Sequence, residues 1–257
     1  MSWHGFKKVV SRATTQVMQS AGALEKTVDR DFEEEEKRFR NLEAKVDKLH
    51  REAKGYLDAV RAMTLAQQRI AETVDHFYEQ GAPLGYAGQQ YKLAVQKIDE
   101  DAKTELDTNF RVTVLDPLGK LAAVFPEFNE TIKRRQKKLL DYDRLRSGVR
   151  KLVDKPSEDP SKLPRAESEA NQARELYESL NRTLLTEIPK LIDLRVPYLD
   201  PSFEALVKSQ LRFNEVAFVK LQEIKNSFPP GTDDRNLEGQ VATVLQQMRE
   251  LSICASH

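Results

Sequence analysis

The chemistry this sequence can do lies mainly in charge. The run KRRQKK sets Lys133, Arg134, Arg135, Lys137 and Lys138 together, and Arg144, Arg146, Arg150 and Lys151 follow along the same expected helix. Lys155, Lys162 and Arg165 carry the run through a proline-rich loop. From Lys133 to Arg165 there are 12 Lys or Arg against five Asp or Glu, a net of +7, in a chain whose 41 basic and 41 acidic residues otherwise cancel. The balancing acids crowd elsewhere, notably in DRDFEEEE. A segregated cationic surface attracts phosphate, whether on nucleic acid or on an anionic membrane. Nucleic-acid readers add base-stacking aromatics or a recognition motif, and neither is visible. Phospholipid headgroups are the better match, with an ordinary solvated face as the bland alternative.

A second constellation opens the chain, MSWHGFKKVVSRATTQVMQS. Wound as a helix, it gathers Trp3, Phe6, Val10, Ala13, Val17 and Ala21 on one face. Lys8, Arg12, Gln16 and Gln19 lie opposite, with Lys7 at the border. Aromatics against cations is the pattern of an interfacial helix, disordered alone and folded where its apolar face finds a boundary. The simpler reading is a helix packed on the rest of the protein. The segment lacks the continuous apolar core of a signal peptide, though a transit peptide shares its basic, acid-poor character.

Catalytic groupings are missing. His4, His50, His76 and His257 are scattered, and the single Cys254 has no neighbouring base. Neither a Gly-rich phosphate loop nor a metal-ligand spacing occurs, so the expectation is a protein with no enzymatic activity, no cofactor and no metal. One cysteine excludes an internal disulfide framework. No stretch reaches the roughly 18–20 apolar residues of a membrane span. The expected location is cytoplasmic. Two asparagines, Asn129 and Asn181, match the glycosylation triplet but fall in expected helices.

Long helices must position these groups. The chain is 39% apolar and 32% charged with sparse aromatics, a composition that suits long helices with wide solvated faces. Phe39, Leu42, Val46, Leu49, Ala53, Tyr56, Val60, Met63, Gln67, Ile70, Val74 and Phe77 step by three and four, a coiled-coil seam with one polar exception. This predicts a first helix over about 24–78, roughly 80 Å long. QGAPLGYAGQQ ends it. A second helix is expected over about 88–153, through Ile98, Leu106, Phe110, Leu121, Phe128, Ile132, Leu139, Tyr142 and Val149. The loop DKPSEDPSKLPRAE separates it from a third, about 165–228, through Leu184, Ile188, Leu211, Phe218 and Leu221. Pro117, Pro126, Pro189, Pro197 and Pro201 either break these helices or bend them. The expectation is an all-α, elongated, kinked, antiparallel three-helix coiled-coil bundle over 23–228. It is preceded by the helix at 1–22 and followed by a linker and short helix over 229–257. So thin a bundle has little interior, and its seams call for a second chain, hence an obligate dimer.

Taken together these residues resemble the BAR domain in its variety with an N-terminal amphipathic helix. KRRQKKLLDYDRLR resembles the second-helix signature of the amphiphysin class, and TEIPKLIDLRVPYLDPSFEAL its third-helix segment. MSWHGFKKVVSRA and VDKPSEDPSKLPRAE are similar to the short fungal "reduced viability upon starvation" branch and its bridging-integrator relatives. The likeness runs over nearly the whole chain. It implies a crescent-shaped dimer (the BAR fold) that senses or generates curvature in anionic phospholipid membrane. The KRRQKK-to-Lys151 cations would line the concave face, Lys155, Lys162 and Arg165 the tips, and Trp3, Phe6, Val10 and Val17 a wedge flanked by Lys7, Lys8 and Arg12. It further implies work at the plasma membrane in endocytosis and cortical actin organisation, sometimes in cytokinesis or cell fusion. Pairing would be with itself or with a longer BAR partner carrying a Src-homology-3 domain, through which contact with the actin machinery would be indirect. The competing reading is a coiled-coil cytoskeletal scaffold without lipid contact.

Overall fold

The computed structural model describes residues 3–22, 24–78, 82–228 and 237–251, and the side chains of residues 3–6, 237 and 238 lie outside that description. The described residues are all-α, with no strand among them. Helix α1 spans Trp3–Ser20 and α2 spans Arg30–Phe77. The second expected helix is a chain of pieces: α3 (Gly85–Lys97), α4 (Thr104–Phe110), α5 (Asp116–Ala122) and α6 (Phe125–Asp154). Helix α7 runs from Lys162 to Ile224, and α8 from Leu237 to Arg249.

Local chemistry sets the ends. Helix α2 begins at Arg30 rather than near residue 24, because the Asp29 carboxylate accepts the backbone N–H of Phe32 at 3.1 Å, an N-cap three residues upstream. The prolines do different things in different helices. Pro126 stands in the first turn of α6, where a missing N–H costs little, whereas Pro117 follows directly on the helical turn Arg111–Leu115. Between Ala122 and Phe125 the helix is interrupted at Ala123 and Val124, although both keep right-handed helical dihedrals. In α7, Pro189, Pro197 and Pro201 lie inside an unbroken helix.

Between α3 and α5 the chain twice widens to π-helical turns, Ile98–Lys103 and Arg111–Leu115. The cause is legible in what is buried. Ile98, Ala102, Leu106, Phe110, Val114 and Leu118 recur every fourth residue, and each is 3% exposed or less. An α-helix overshoots by about 40° with every four residues, so such a stripe would soon leave the core. Turns closed i to i+5 take up the excess.

The chain divides into two compact units, Met1–Gly55 with Phe110–Leu206, and Tyr56–Asn109 with Val207–His257. The first holds the principal core, in which Phe32, Phe39, Leu42 and Val46 of α2 meet Leu121 and Phe125, Ile132 of α6, and Leu184, Ile188 and Ile192 of α7. Phe39 stacks at 5.6 Å on both Phe125, edge-on, and Phe128. In the second unit the interior is smaller, with Leu57, Val60, Thr64 and Ala71 of α2 inside together with Ala94, Val95 and Phe213. Here the expected seam fails. Met63, Ile70 and Phe77 are 43%, 56% and 80% exposed, and the residue after each of the first two is buried instead. From half-buried Leu49 the inward side takes two successive steps of four, to buried Ala53 and Leu57, in place of the expected Tyr56.

Candidate functional site

Nine cations were expected to act together on α6, and the helix sorts them. At 3.6 residues per turn, Lys133, Lys137, Arg144 and Lys151 fall within about 40° of one another. All four are exposed. Lys137, Arg144 and Lys151 form no ion pair among the described residues, and Lys133 pairs only with exposed Glu130 at 2.8 Å. Arg134 and half-buried Lys138 flank this stripe. Arg146 and Arg150 turn the other way. Both reach Glu25, at 3.9 and 3.2 Å, and Arg146 also lies over the Tyr142 ring.

Arg135 leaves the set altogether. It is 4% exposed, and its guanidinium donates to Asn181 at 2.6 Å, Asp29 at 2.8 Å and the Tyr177 hydroxyl at 3.2 Å. Its plane rests over the Phe32 ring, 3.5 Å from the centroid. Asp29 in turn accepts from Tyr177 at 3.0 Å and Asn181 at 2.7 Å. Burial alone would raise the Asp29 carboxyl. The Phe32 N–H, Asn181, Tyr177 and Arg135 together hold it below its ordinary value instead. Tyr177 goes the other way, pushed up to about 12 chiefly by burial. This knot joins the start of α2 to α6 and α7, and a cation inside it cannot meet a lipid. The sequence did carry the signal: Arg135 falls on the seam Phe128, Ile132, Leu139, Tyr142, at a core position.

Helix α1 docks by its polar face. Arg12 donates through Nε and Nη2 to the two Asp141 oxygens at 2.9 and 2.7 Å, a bidentate pair. Gln19 donates to Asp143 at 2.8 Å, and Thr15 is buried. Two positions apart, Asp141 and Asp143 point to different sides of α6, so α1 straddles that helix. Asp143, 1% exposed, also takes the Thr27 hydroxyl at 2.5 Å and backbone N–H at 3.2 Å. Lys7 and Lys8 are exposed. The opposite face is bare, with Val10 48% and Val17 68% exposed. Trp3 and Phe6 belong to that face by spacing, but their side chains lie outside the description. Arg12, expected beside the wedge, is thus the anchor of the docked helix.

Lys155, Lys162 and Arg165 are all exposed, in the link between α6 and α7 and the first turn of α7. Asp159 shapes that link by accepting the Ser161 N–H at 2.9 Å. Among the described residues no three His, Cys, Asp or Glu side chains gather to hold a metal, and no helix is long and apolar enough to cross a membrane. Cys254 and His257 lie outside the described residues. Both triplet asparagines are engaged: Asn129 donates to Glu43 at 2.6 Å, and the Asn181 amide is spent on Asp29.

Helical seams, a polar-faced opening helix and a cation stripe define an all-α scaffold, and the comparisons agree. The model of the BAR domain matches residues 6–228, and the chain belongs to the BAR family. That family is one of membrane-curvature scaffolds rather than catalysts. The protein hob3 of Schizosaccharomyces pombe is 52% identical over 98% of this chain and 97% of its own. The "regulator of cytoskeleton and endocytosis RVS161" of Candida albicans is 44% identical, with 98% of each chain covered. These relatives belong to the short branch that the chain's opening and loop resemble. Among solved structures, the amphiphysin BAR domain from Drosophila is 26% identical with a TM-score of 0.61, over 79% of this chain and 94% of that one.

Proposed function

We propose that this chain binds anionic phospholipid membrane and senses or generates its curvature, as a dimeric scaffold serving endocytosis and the cortical actin cytoskeleton. The observation that carries this reading is the exposed stripe Lys133, Lys137, Arg144 and Lys151, set on one face of α6 in a BAR chain. Each cation near an anionic leaflet contributes about 1 kcal/mol, reduced by salt, and two chains double the number. Arg134, Lys138, Lys155, Lys162 and Arg165 extend the same surface. The bare Val10–Val17 face of α1, continued by Trp3 and Phe6, supplies an apolar wedge. The relative named for cytoskeleton and endocytosis supports the cellular setting. The partner is a second copy or a longer BAR protein with a Src-homology-3 domain, and contact with actin is indirect.

Co-sedimentation with phosphatidylserine vesicles, small and large, at low and high salt tests this. Binding should favour small vesicles and fall steeply with salt. The double reversal Lys137→Glu with Arg144→Glu should weaken it about tenfold or more while leaving the helical melting transition in place. No binding at either salt concentration would instead favour a coiled-coil scaffold that touches no lipid, and binding that ignores both salt and the reversal would remove the cation stripe as its cause.

A further inference from the structure

Helix α8 lies beyond residues 6–228, the part matched by the BAR domain, and takes no part in the proposed function. Its Val241, Val244, Met248 and Leu251 step by three, four and three, and Leu245 widens the stripe they form. These five side chains are between 44% and 63% exposed, and every residue from Gly239 to Leu251 is exposed with them. Isolated helices shorter than about 12–15 residues are marginal in water. Helix α8 has 13, so its apolar face calls for a cover. A membrane surface is a poor one. Interfacial helices set Lys and Arg opposite their apolar face, and residues 237–251 carry one cation, Arg249, against Glu238 and Glu250.

A helix of matching spacing fits better, and the second unit leaves one open. In α7, Leu211, Asn214, Phe218 and Leu221 repeat the same steps of three, four and three, and all four are exposed. Each stripe is about 15 Å long, so knobs of one can meet holes of the other over the whole length. Asn214, the polar member, sets the register of such a pair. The stripe that α8 meets can be its own or a second chain's. Residues 229–236 form a tether of eight, which gives α8 a high effective concentration at its own α7. Yet on its own chain every described α8 side chain remains exposed. BAR domains dimerise, and a second copy brings in the same α7 stripe. We propose that α8 packs its Val241–Leu251 stripe on the Leu211–Leu221 stripe of a second copy, a reciprocal clasp of the dimer by a helix outside the BAR domain. This rests on the dimeric part of the reading above and not on its lipid part.

Sedimentation equilibrium of the full chain gives the dimer dissociation constant. Val244→Glu with Met248→Glu should raise it about tenfold or more. Gln246→Lys, on the polar face of α8, should leave it unchanged. Photocrosslinking then locates the contact. Benzoylphenylalanine in place of Met248 should yield a product of twice the chain mass, joined within residues 207–224. A crosslink that stays within one chain, a double-mass product joined elsewhere, or a dissociation constant that the double substitution does not change overturns the clasp and leaves the dimer standing. An unaltered chain that sediments as a monomer overturns the dimeric reading together with the clasp.

Discussion

Two neighbours on α6, Arg135 and Lys137, show how little residue type says about role. Arg135 is enclosed by Asp29, Tyr177, Asn181 and Phe32, while Lys137 stands in solvent. Arg135→Ala strands a carboxylate and should cost about 3–5 kcal/mol, read by urea unfolding. Lys137→Glu should leave the same transition within about 0.5 kcal/mol, and equal losses from both would refute the division. Asp29 adds a pH dependence. Its folded carboxyl is held below the unfolded value of about 3.9, so its contribution is complete above that pH and lost as pH falls through the folded value. Melting temperature measured from pH 6 to pH 2 should therefore drop on the acid side, and Asp29→Asn should flatten that drop. A charge run read from sequence shows its sum; the seam decides which member goes inside.

At the scale of elements, α1 is held by polar contacts and not by its apolar face. Removing the anchor with Asp141→Ala should loosen α1 without unfolding the three-helix core. Hydrogen exchange of residues 7–20 should speed up while that of Ile132 and Ile188 stays slow, and unchanged exchange in α1 would show that the pair does not hold it. A helix over Trp3–Ser20 with Val10 and Val17 on one face was legible from the spacing; its docking side was not, because Asp141 lies 129 positions from Arg12. The first core was legible too, since Phe39, Leu42, Val46, Leu184 and Ile188 all lie on their seams. The π-helical turns were hidden. Alanine at 102 and valine at 114 look like ordinary helix fillers until their burial reveals the four-residue step. Prolines were ambiguous because the same residue starts α6 and sits mid-helix in α7.

For the molecule as a whole, the second unit leaves much apolar surface open. Met63, Ile70 and Phe77 of α2 and Leu211, Phe218 and Leu221 of α7 are all between 42% and 80% exposed. Stripes of this kind on helices spaced for coiled-coil packing are what a partner chain covers. Phe77→Glu and Phe218→Glu should each raise the dimer dissociation constant by about tenfold or more in sedimentation equilibrium. A chain that sediments as a monomer before mutation would mean that something else covers these stripes. That an apolar seam runs along α2 could be read from the sequence. That it turns by one residue near Ala53, so that Thr64 and Ala71 face inward, could not, because a 3.5-residue repeat and a 3.6-residue helix diverge only gradually.

The knot around Arg135 also bears on how the protein is made. Asp29 and Asn181 are 152 positions apart, so the first unit cannot close until the ribosome has passed well into α7. At 5–20 residues per second that takes roughly 8–30 s, during which Phe39, Leu42 and Val46 lack the cover of Leu184, Ile188 and Ile192. Contacts this distant are also slow to form once the chain is complete. The interval in which this core is incomplete is therefore set by where residues 177–192 fall in the order of synthesis.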